Sequence, residues 1–177
     1  MIDHNLISFH KVSQKPFLHI ISAGPSLRNF DFKKLIGQDV MTINNTLFHL
    51  PDYVKSSYHI YCEPLEAEYD NYIKMTKSGV KKLFTIHDVP GWLQIPPFAD
   101  SRNFAFQVAI DVAVLLKYKK IFLYGFDFSY KDGYKYWWSE SPSELDEEKI
   151  HILNVQKSIF DEFFLKKEKN AKITIVE

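Results

Sequence analysis

The sequence predicts an α/β fold: one domain with a mostly parallel central sheet flanked by helices. Three observations predict it. Short apolar runs alternate with stretches of helical spacing, the pattern of successive strand–helix–strand units. The first run, Phe17-Leu-His-Ile-Ile21, is closed by small residues and a Gly24-Pro25 pair, as a buried parallel strand ending in a tight turn is. Small or polar clusters then follow run after run: Gly24-Pro25-Ser26, Asn44-Asn45-Thr46, Glu63-Pro64 and Gly125-Phe126-Asp127. Residues 1–16 have mixed polarity and read as an N-terminal arm, and residues 17–177 as the domain itself.

Taken in order, Phe17–Ile21 is the first strand. Asp31 caps a short helix that Gly37 ends. Asp39–Ile43 is the second strand and Tyr58–Cys62 the third. Residues 65–77 read as a helix with Leu65, Tyr69, Tyr72 and Ile73 on one face, closed by Gly79. Lys81–Ile86 is the fourth strand. Residues 90–100 hold three prolines and read as a loop rather than an element. Asn103–Lys117 is a helix whose stripe of Ala105, Val108, Ala109, Val112, Ala113 and Leu116 is joined by apolar residues on other sides, so it is largely buried. Lys119–Tyr124 is the fifth strand. The polar, Tyr- and Trp-rich stretch Ser129–Ser143 is a long loop of the functional or mobile kind. Ser143 or Asp146 caps the last helix, with Ile152, Val155, Ile159 and Phe163 at helical spacing, and Lys172–Val176 is the final strand.

The totals exclude several classes. Apolar residues make up 46% of 177, which supports a real core and argues against disorder. Lys plus Arg equals Asp plus Glu at 22 each, without the basic footprint of a nucleic-acid binder. The single cysteine, Cys62, cannot form an internal disulfide and fits a reducing compartment. No apolar run approaches the roughly 18 residues that span a bilayer, and residues 1–10 lack a signal peptide's basic start and apolar middle. The expectation is a cytoplasmic protein, with peripheral attachment to a membrane left open. Ten Tyr and fifteen Phe suggest a wet cleft or an interface, which leaves a homo-oligomer open.

The seven His are scattered, and the phosphate-loop and dinucleotide glycine patterns are both absent. What remains is convergence. In a parallel sheet the carboxyl ends of the strands share one rim, where ligands bind. Gly24, Pro25 and Ser26, then Asn44, Glu63, and Gly125 with Asp127 all fall there. Gly24 would let backbone approach a ligand. Ser26 would add a hydroxyl and exposed N–H groups suited to a phosphate. The plainer readings are a strand-to-loop corner for the first group and Asx turns for the asparagines.

Two segments carry a resemblance. Ala23-Gly-Pro-Ser-Leu27 with Val40-Met-Thr-Ile-Asn44, and Ala105 through Phe128 ending in Gly125-Phe-Asp-Phe128, resemble the sialyltransferases of glycosyltransferase family 42, which act on bacterial lipooligosaccharide. The same signatures are similar to those of the wider Rossmann-like set that includes hydroxymethylpterin pyrophosphokinases. The resemblance implies a Rossmann-like nucleotide-binding domain. It implies inverting, metal-independent transfer of a sugar from a CMP-activated donor to a glycan or lipid-linked glycan acceptor, in the cytoplasm or at the inner membrane. Gly24, Pro25 and Ser26 would line the nucleotide phosphate or ribose, Asn44 the CMP part, and Gly125, Asp127 and Phe128 the rim. Glu63 counts with these rim residues. Tyr134 or Tyr136 would support the leaving phosphate. His151 would be the catalytic base, ahead of Asn154 and Asp161 in matching positions; its plainer reading is a solvated histidine in a helix's first turn. The chain departs from the family at Ala23 and Glu63, where the family has Asn, at Ala105-Phe106 for Ser-Gly, and at Glu148 for Tyr. A pyrophosphokinase would instead need Mg²⁺, with Asp127, Asp88 or Glu63 as ligands. A third reading is a domain that binds a nucleotide or a partner without catalysis.

Overall fold

Among the described residues, seven strands form one all-parallel sheet in the order β5-β4-β3-β2-β1-β6-β7. This computed structural model describes residues 10–95, 104–142, 146–167 and 172–176. The strands are β1 Phe17–Ile21, β2 Asp39–Ile43, β3 Tyr58–Ile60, β4 Lys82–Thr85, β5 Leu93–Gln94, β6 Lys120–Tyr124 and β7 Ile173–Val176. The chain steps outward from β1 to β5, then crosses back to lay β6 and β7 on the other side of β1. That reversal makes the carboxyl end of β1 a topological switch point, where open α/β sheets leave a crevice.

Period-two alternation sends the strand side chains to opposite faces. Leu18 and Ile20 of β1, Met41 and Ile43 of β2, Ile60 of β3 and Leu123 of β6 face the helices α2 (Ala105–Leu115) and α3 (Glu147–Lys167). Ile21, Val40 and Tyr124 point the other way, onto Leu27, Phe32 and Leu35 of two 3₁₀ turns, Pro25–Asn29 and Phe32–Leu35. Farther along that face, Tyr61 and Leu83 meet Tyr72 and Met75 of α1 (Leu65–Thr76). The amino edge is tied by Asp39, which accepts from the hydroxyls of Tyr118 (2.7 Å) and Ser13 and so anchors the arm.

Several expectations need correction. The short helix expected after Asp31 is a 3₁₀ turn, and Asp31 does cap it, its carboxylate accepting from Lys33 N–H. Residues 90–95 contain β5, which pairs with β4 and is extended by Ile95 N–H donating to Thr85 O. In α1 the buried residues are Tyr72 and Met75, while Tyr69 and Ile73 are exposed. In α3 they are Phe160 and Phe163, while Ile152 and Val155 are 47% and 43% exposed. Asp146 caps α3 by accepting from Lys149 N–H at 2.7 Å. The expected helix start at Asn103 and the Ser143 cap lie outside the described residues.

Candidate functional site

The loops after β1 and β6 are laced together at the switch point. Ser22 N–H donates to Tyr124 O and Gly24 N–H to Gly125 O, both at 2.9 Å. Ser26 N–H donates to Asp127 Oδ2, also at 2.9 Å. Gly24 has ordinary extended backbone, φ −62° and ψ 149°, so its lack of a side chain answers to crowding. A Cβ there would meet the Asp127 carboxylate and come within 2.5 Å of Gly125 O. The close approach expected of a ligand at Gly24 is made here by the protein's own loop. The Ser26 N–H expected to face a phosphate is occupied by Asp127, and Ser26 Oγ is buried with no partner among the described residues. Pro25 is buried at the start of the first 3₁₀ turn. Gly125 at φ +69° turns the chain out of β6, a conformation open to glycine without steric cost. Phe128 and Asn44 also take left-handed backbone, φ +49° and +48°. Such strain in a non-glycine residue persists only where its surroundings hold it, and it clusters at functional sites.

Asn44, just past β2, and Glu63, just past β3, meet in front of this floor. Asn44 Nδ2 donates to Glu63 Oε1 at 2.6 Å. Asn44 Oδ1 is buried and unpartnered among the described residues. Tyr72 fixes the Glu63 backbone by donating to its carbonyl at 2.8 Å. Burial raises the Glu63 carboxyl pKa, the nearby Glu68 raises it further, and the Asn44 hydrogen bond opposes both. Burial likewise pushes the adjacent Cys62 thiol up to about 12, which leaves it protonated and a poor nucleophile at neutral pH.

Asn44 and Glu63 both border three neighbouring cavities. One of 330 Å³ lies against Ser22, Phe104, Phe106, Phe128 and Gln156. Phe106, which stands where the resembling family has Gly, closes the floor by packing against Phe128 and Phe160. A second cavity of 270 Å³ lies against Gly24, Gly125, Lys135, Tyr136, Lys149 and Gln156. A third of 440 Å³ lies against Asn45, His49, Asn71, Tyr136 and Trp138. A separate cavity of 600 Å³ opens beside Gln38, Ser57 and Lys81, next to the amino ends of β2, β3 and β4 and away from this rim.

The aromatic loop closes the outer side. Trp138 lies between His49, stacked at 4.2 Å, and Tyr136, stacked at 5.1 Å. Trp137 packs on Phe32 at 4.9 Å, and its backbone N–H donates to Ala23 O. Arg28 sits 3.6 Å over the Tyr134 ring and donates to Ser139 O at 2.7 Å. Of the two candidate tyrosines, Tyr136 therefore lines the cavities, and Tyr134 is occupied in holding the loop down. Lys149, Ile152, Leu153 and Gln156 form the α3 face toward the second cavity. His151 is exposed on the same helix and lines none of the three. Asn154 and Asp161 are exposed too, and Asp161 pairs with Lys157 at 2.5 Å. Asp88 is exposed, and among the described residues no three His, Cys, Asp or Glu side chains gather as a metal-ligating group. The sequence reading missed Ser22, Lys135, Lys149 and Gln156, because an isolated lysine in a polar loop or a helix's first turn looks like any solvated lysine.

No family model matches the chain and no curated protein matches it in sequence. Solved structures do share its fold. The sialyltransferase CstII from Campylobacter jejuni, in complex with the substrate analogue cytidine-5'-monophosphate, is similar with a TM-score of 0.57 at 17% identity, over 92% of this chain and 80% of that one. The monofunctional alpha-2,3-sialyltransferase Cst-I from Campylobacter jejuni gives 0.55 at 18%, over 94% and 77%. An apo alpha-2,3-sialyltransferase from Campylobacter jejuni gives 0.53 at 14%, over 94% and 77%. At these identities the fold is what is shared: a Rossmann-like α/β fold, with the cavities bordered by Asn44 and Glu63 at its carboxyl rim.

Proposed function

We propose that this chain transfers a sugar from a CMP-activated donor to a glycan hydroxyl, with inversion and without a metal. The observation that carries the reading is the meeting of three cavities at Asn44 and Glu63, on the rim where a nucleotide-binding α/β sheet holds its ligand. The second cavity suits the donor phosphate. Lys135 and Lys149 bring two positive charges to it from different elements, and Tyr136 brings a hydroxyl. Fixed donors of that kind act where charge develops as the phosphate leaves, so this chain's own residues supply the stabilisation a metal would otherwise give. Asn44 offers the cytidine an acceptor, its free Oδ1. The third cavity suits a sugar acceptor. The aromatic faces of Tyr136 and Trp138 pack against apolar ring faces, and Asn45 and Asn71 hydrogen-bond hydroxyls.

The first test is ligand-dependent thermal unfolding with CMP, CDP, UDP, ATP and GTP. A ligand at a hundred times its Kd stabilises the native state by about 2.7 kcal/mol, which raises Tm by roughly 5–10 °C for a chain of this length. CMP is expected to give the largest shift and Lys149→Ala to reduce it. Equal shifts with every nucleotide, or none with any, overturn the reading. Release of CMP from a CMP-linked sugar is expected to survive excess chelator; activity that chelator removes and Mg²⁺ restores would instead support the pyrophosphokinase chemistry.

A further inference from the structure

We infer that Glu63, and not His151, is the catalytic base that takes the acceptor hydroxyl's proton. The inference rests on the transferase reading and adds the residue that performs its proton transfer. A base must lie within hydrogen-bond reach of the proton it removes. Glu63 borders all three cavities, so its carboxylate can reach an acceptor oxygen held in the third while that oxygen faces a donor held in the second. His151 is exposed and borders none of them.

The other groups around the cavities serve less well. His49 borders only the third cavity, and its ring is stacked face to face on Trp138. Lys149 is ion-paired with Asp146 at 2.5 Å, and the ring of Tyr136 is stacked on Trp138. Cys62 is held as a neutral thiol. Glu63 itself is oriented by two fixed contacts, Asn44 Nδ2 on Oε1 and the Tyr72 hydroxyl on its backbone carbonyl. The Asn44 bond engages Oε1, which leaves Oε2 to accept a proton. The charged and titratable groups around it are Glu68 and Tyr72 from α1, Tyr61 and Cys62 just before it in the chain, His49 from the turn after β2, Lys135 and Tyr136 from the aromatic loop and Lys149 from α3. Burial and Glu68 make the carboxylate more basic than an ordinary glutamate, which favours proton abstraction near neutral pH.

The step balances without a co-reactant. The acceptor O–H bond breaks and its proton passes to Glu63 Oε2 as the acceptor oxygen bonds to the anomeric carbon. The bond from that carbon to the phosphate oxygen breaks, and its electron pair leaves with CMP beside Lys135 and Lys149. Glu63 returns its proton to water once CMP departs.

The test compares wild type, Glu63→Gln, His151→Ala and His49→Gln in release of CMP from CMP-N-acetylneuraminate with lactose as acceptor, as a function of pH. The amide introduced by Glu63→Gln can still accept from Asn44 but cannot take the proton. Glu63→Gln is expected to lose about 10²–10⁴-fold in kcat while its thermal shift with CMP stays as in wild type. The acid limb of the wild-type profile should disappear in Glu63→Gln and persist in the two histidine variants. A Glu63→Gln enzyme within about tenfold of wild type in kcat, or loss of the acid limb in either histidine variant, overturns the assignment and leaves the transferase reading standing. The histidine variants decide the matter even if Glu63→Gln does not fold. No turnover by wild type, with no CMP shift, overturns the transferase reading and the base with it.

Discussion

Gly24 has no room for a side chain, because Asp127 and Gly125 of the loop after β6 pack against it. A glycine after a strand suggested space for a ligand, but the space is filled by Asp127 and the Gly125 carbonyl. Sequence cannot distinguish the two, because both need a missing Cβ and the neighbour comes from the loop after β6, about a hundred residues away. Gly24→Ala should destabilise the fold by about 1–3 kcal/mol as an overpacked contact does, lowering Tm by roughly 2–4 °C for each kcal/mol. Gly37→Ala is the contrasting case: nothing lies within 4 Å of its Cβ, and its cost comes only from φ +72°. Thermal unfolding that finds Gly24→Ala as stable as wild type would mean the β1 and β6 loops are not packed in this way. Glu63 makes the same point about chemistry. Sequence marked it as an oddity at a strand end, and only the fold brings Glu68, Asn44 and Tyr72 around it.

At the scale of the element, the helices were legible as helices, the buried stripe of α2 was read as it stands, and the faces of α1 and α3 were misread in part. Helix α3 has apolar residues around much of its circumference, so more than one stripe satisfies the 3.6-residue period. The buried stripe is set by partners outside the helix: Phe160 is 1% exposed and lies between Phe106, Phe126 and Phe128. That choice also carries Leu153 and Gln156 to the second cavity and leaves His151 outside it. Phe160→Ala should cost about 3–5 kcal/mol and loosen the wall that Gln156 and Lys149 present to the site. The double variant Ile152→Ser/Val155→Ser, on the stripe the periodicity favoured, should stay within about 1 kcal/mol of wild type. Urea unfolding of the two variants checks this, and the reverse ranking would restore the face read from spacing. Strand β5 went unread for a different reason. Leu93–Gln94 is too short for any period to register, and it is a strand only because β4 offers it an edge.

For the whole molecule, the topology was readable because alternation of strand and helix permits few arrangements, and a parallel sheet puts every strand's carboxyl end on one side. Gly24, Asn44, Glu63 and Gly125 therefore stand together on one rim, while Lys135 and Lys149 reach it by a loop path and a helix placement that no local pattern encodes. The burial that forms this sheet also sets how stability depends on pH. His59 in β3 is fully buried between Thr42 Oγ1 at 2.8 Å and Met75 Sδ at 3.1 Å. Desolvation pushes its pKa down to about 3, against the Thr42 contact, which raises it. The unfolded chain binds this proton near the ordinary value of about 6.5 and the native state does not. Stability from His59 is thus complete above that value and is lost as pH falls through the interval toward about 3, by about 1.4 kcal/mol per pH unit for one proton. His19, lowered mainly by burial, steepens the fall. Glu63 has a raised pKa and acts with the opposite sign, since its burial penalty is relieved as it takes up a proton. Urea unfolding between about pH 7.5 and 5 should show the midpoint falling with pH, because burial lowers the pKa of His59, His19 and His49 against the one raised carboxyl of Glu63. His59→Gln, which removes one of those protons, should flatten the slope by about 1.4 kcal/mol per pH unit. An unchanged slope in that variant would mean that the His59 ring is not held neutral inside the sheet.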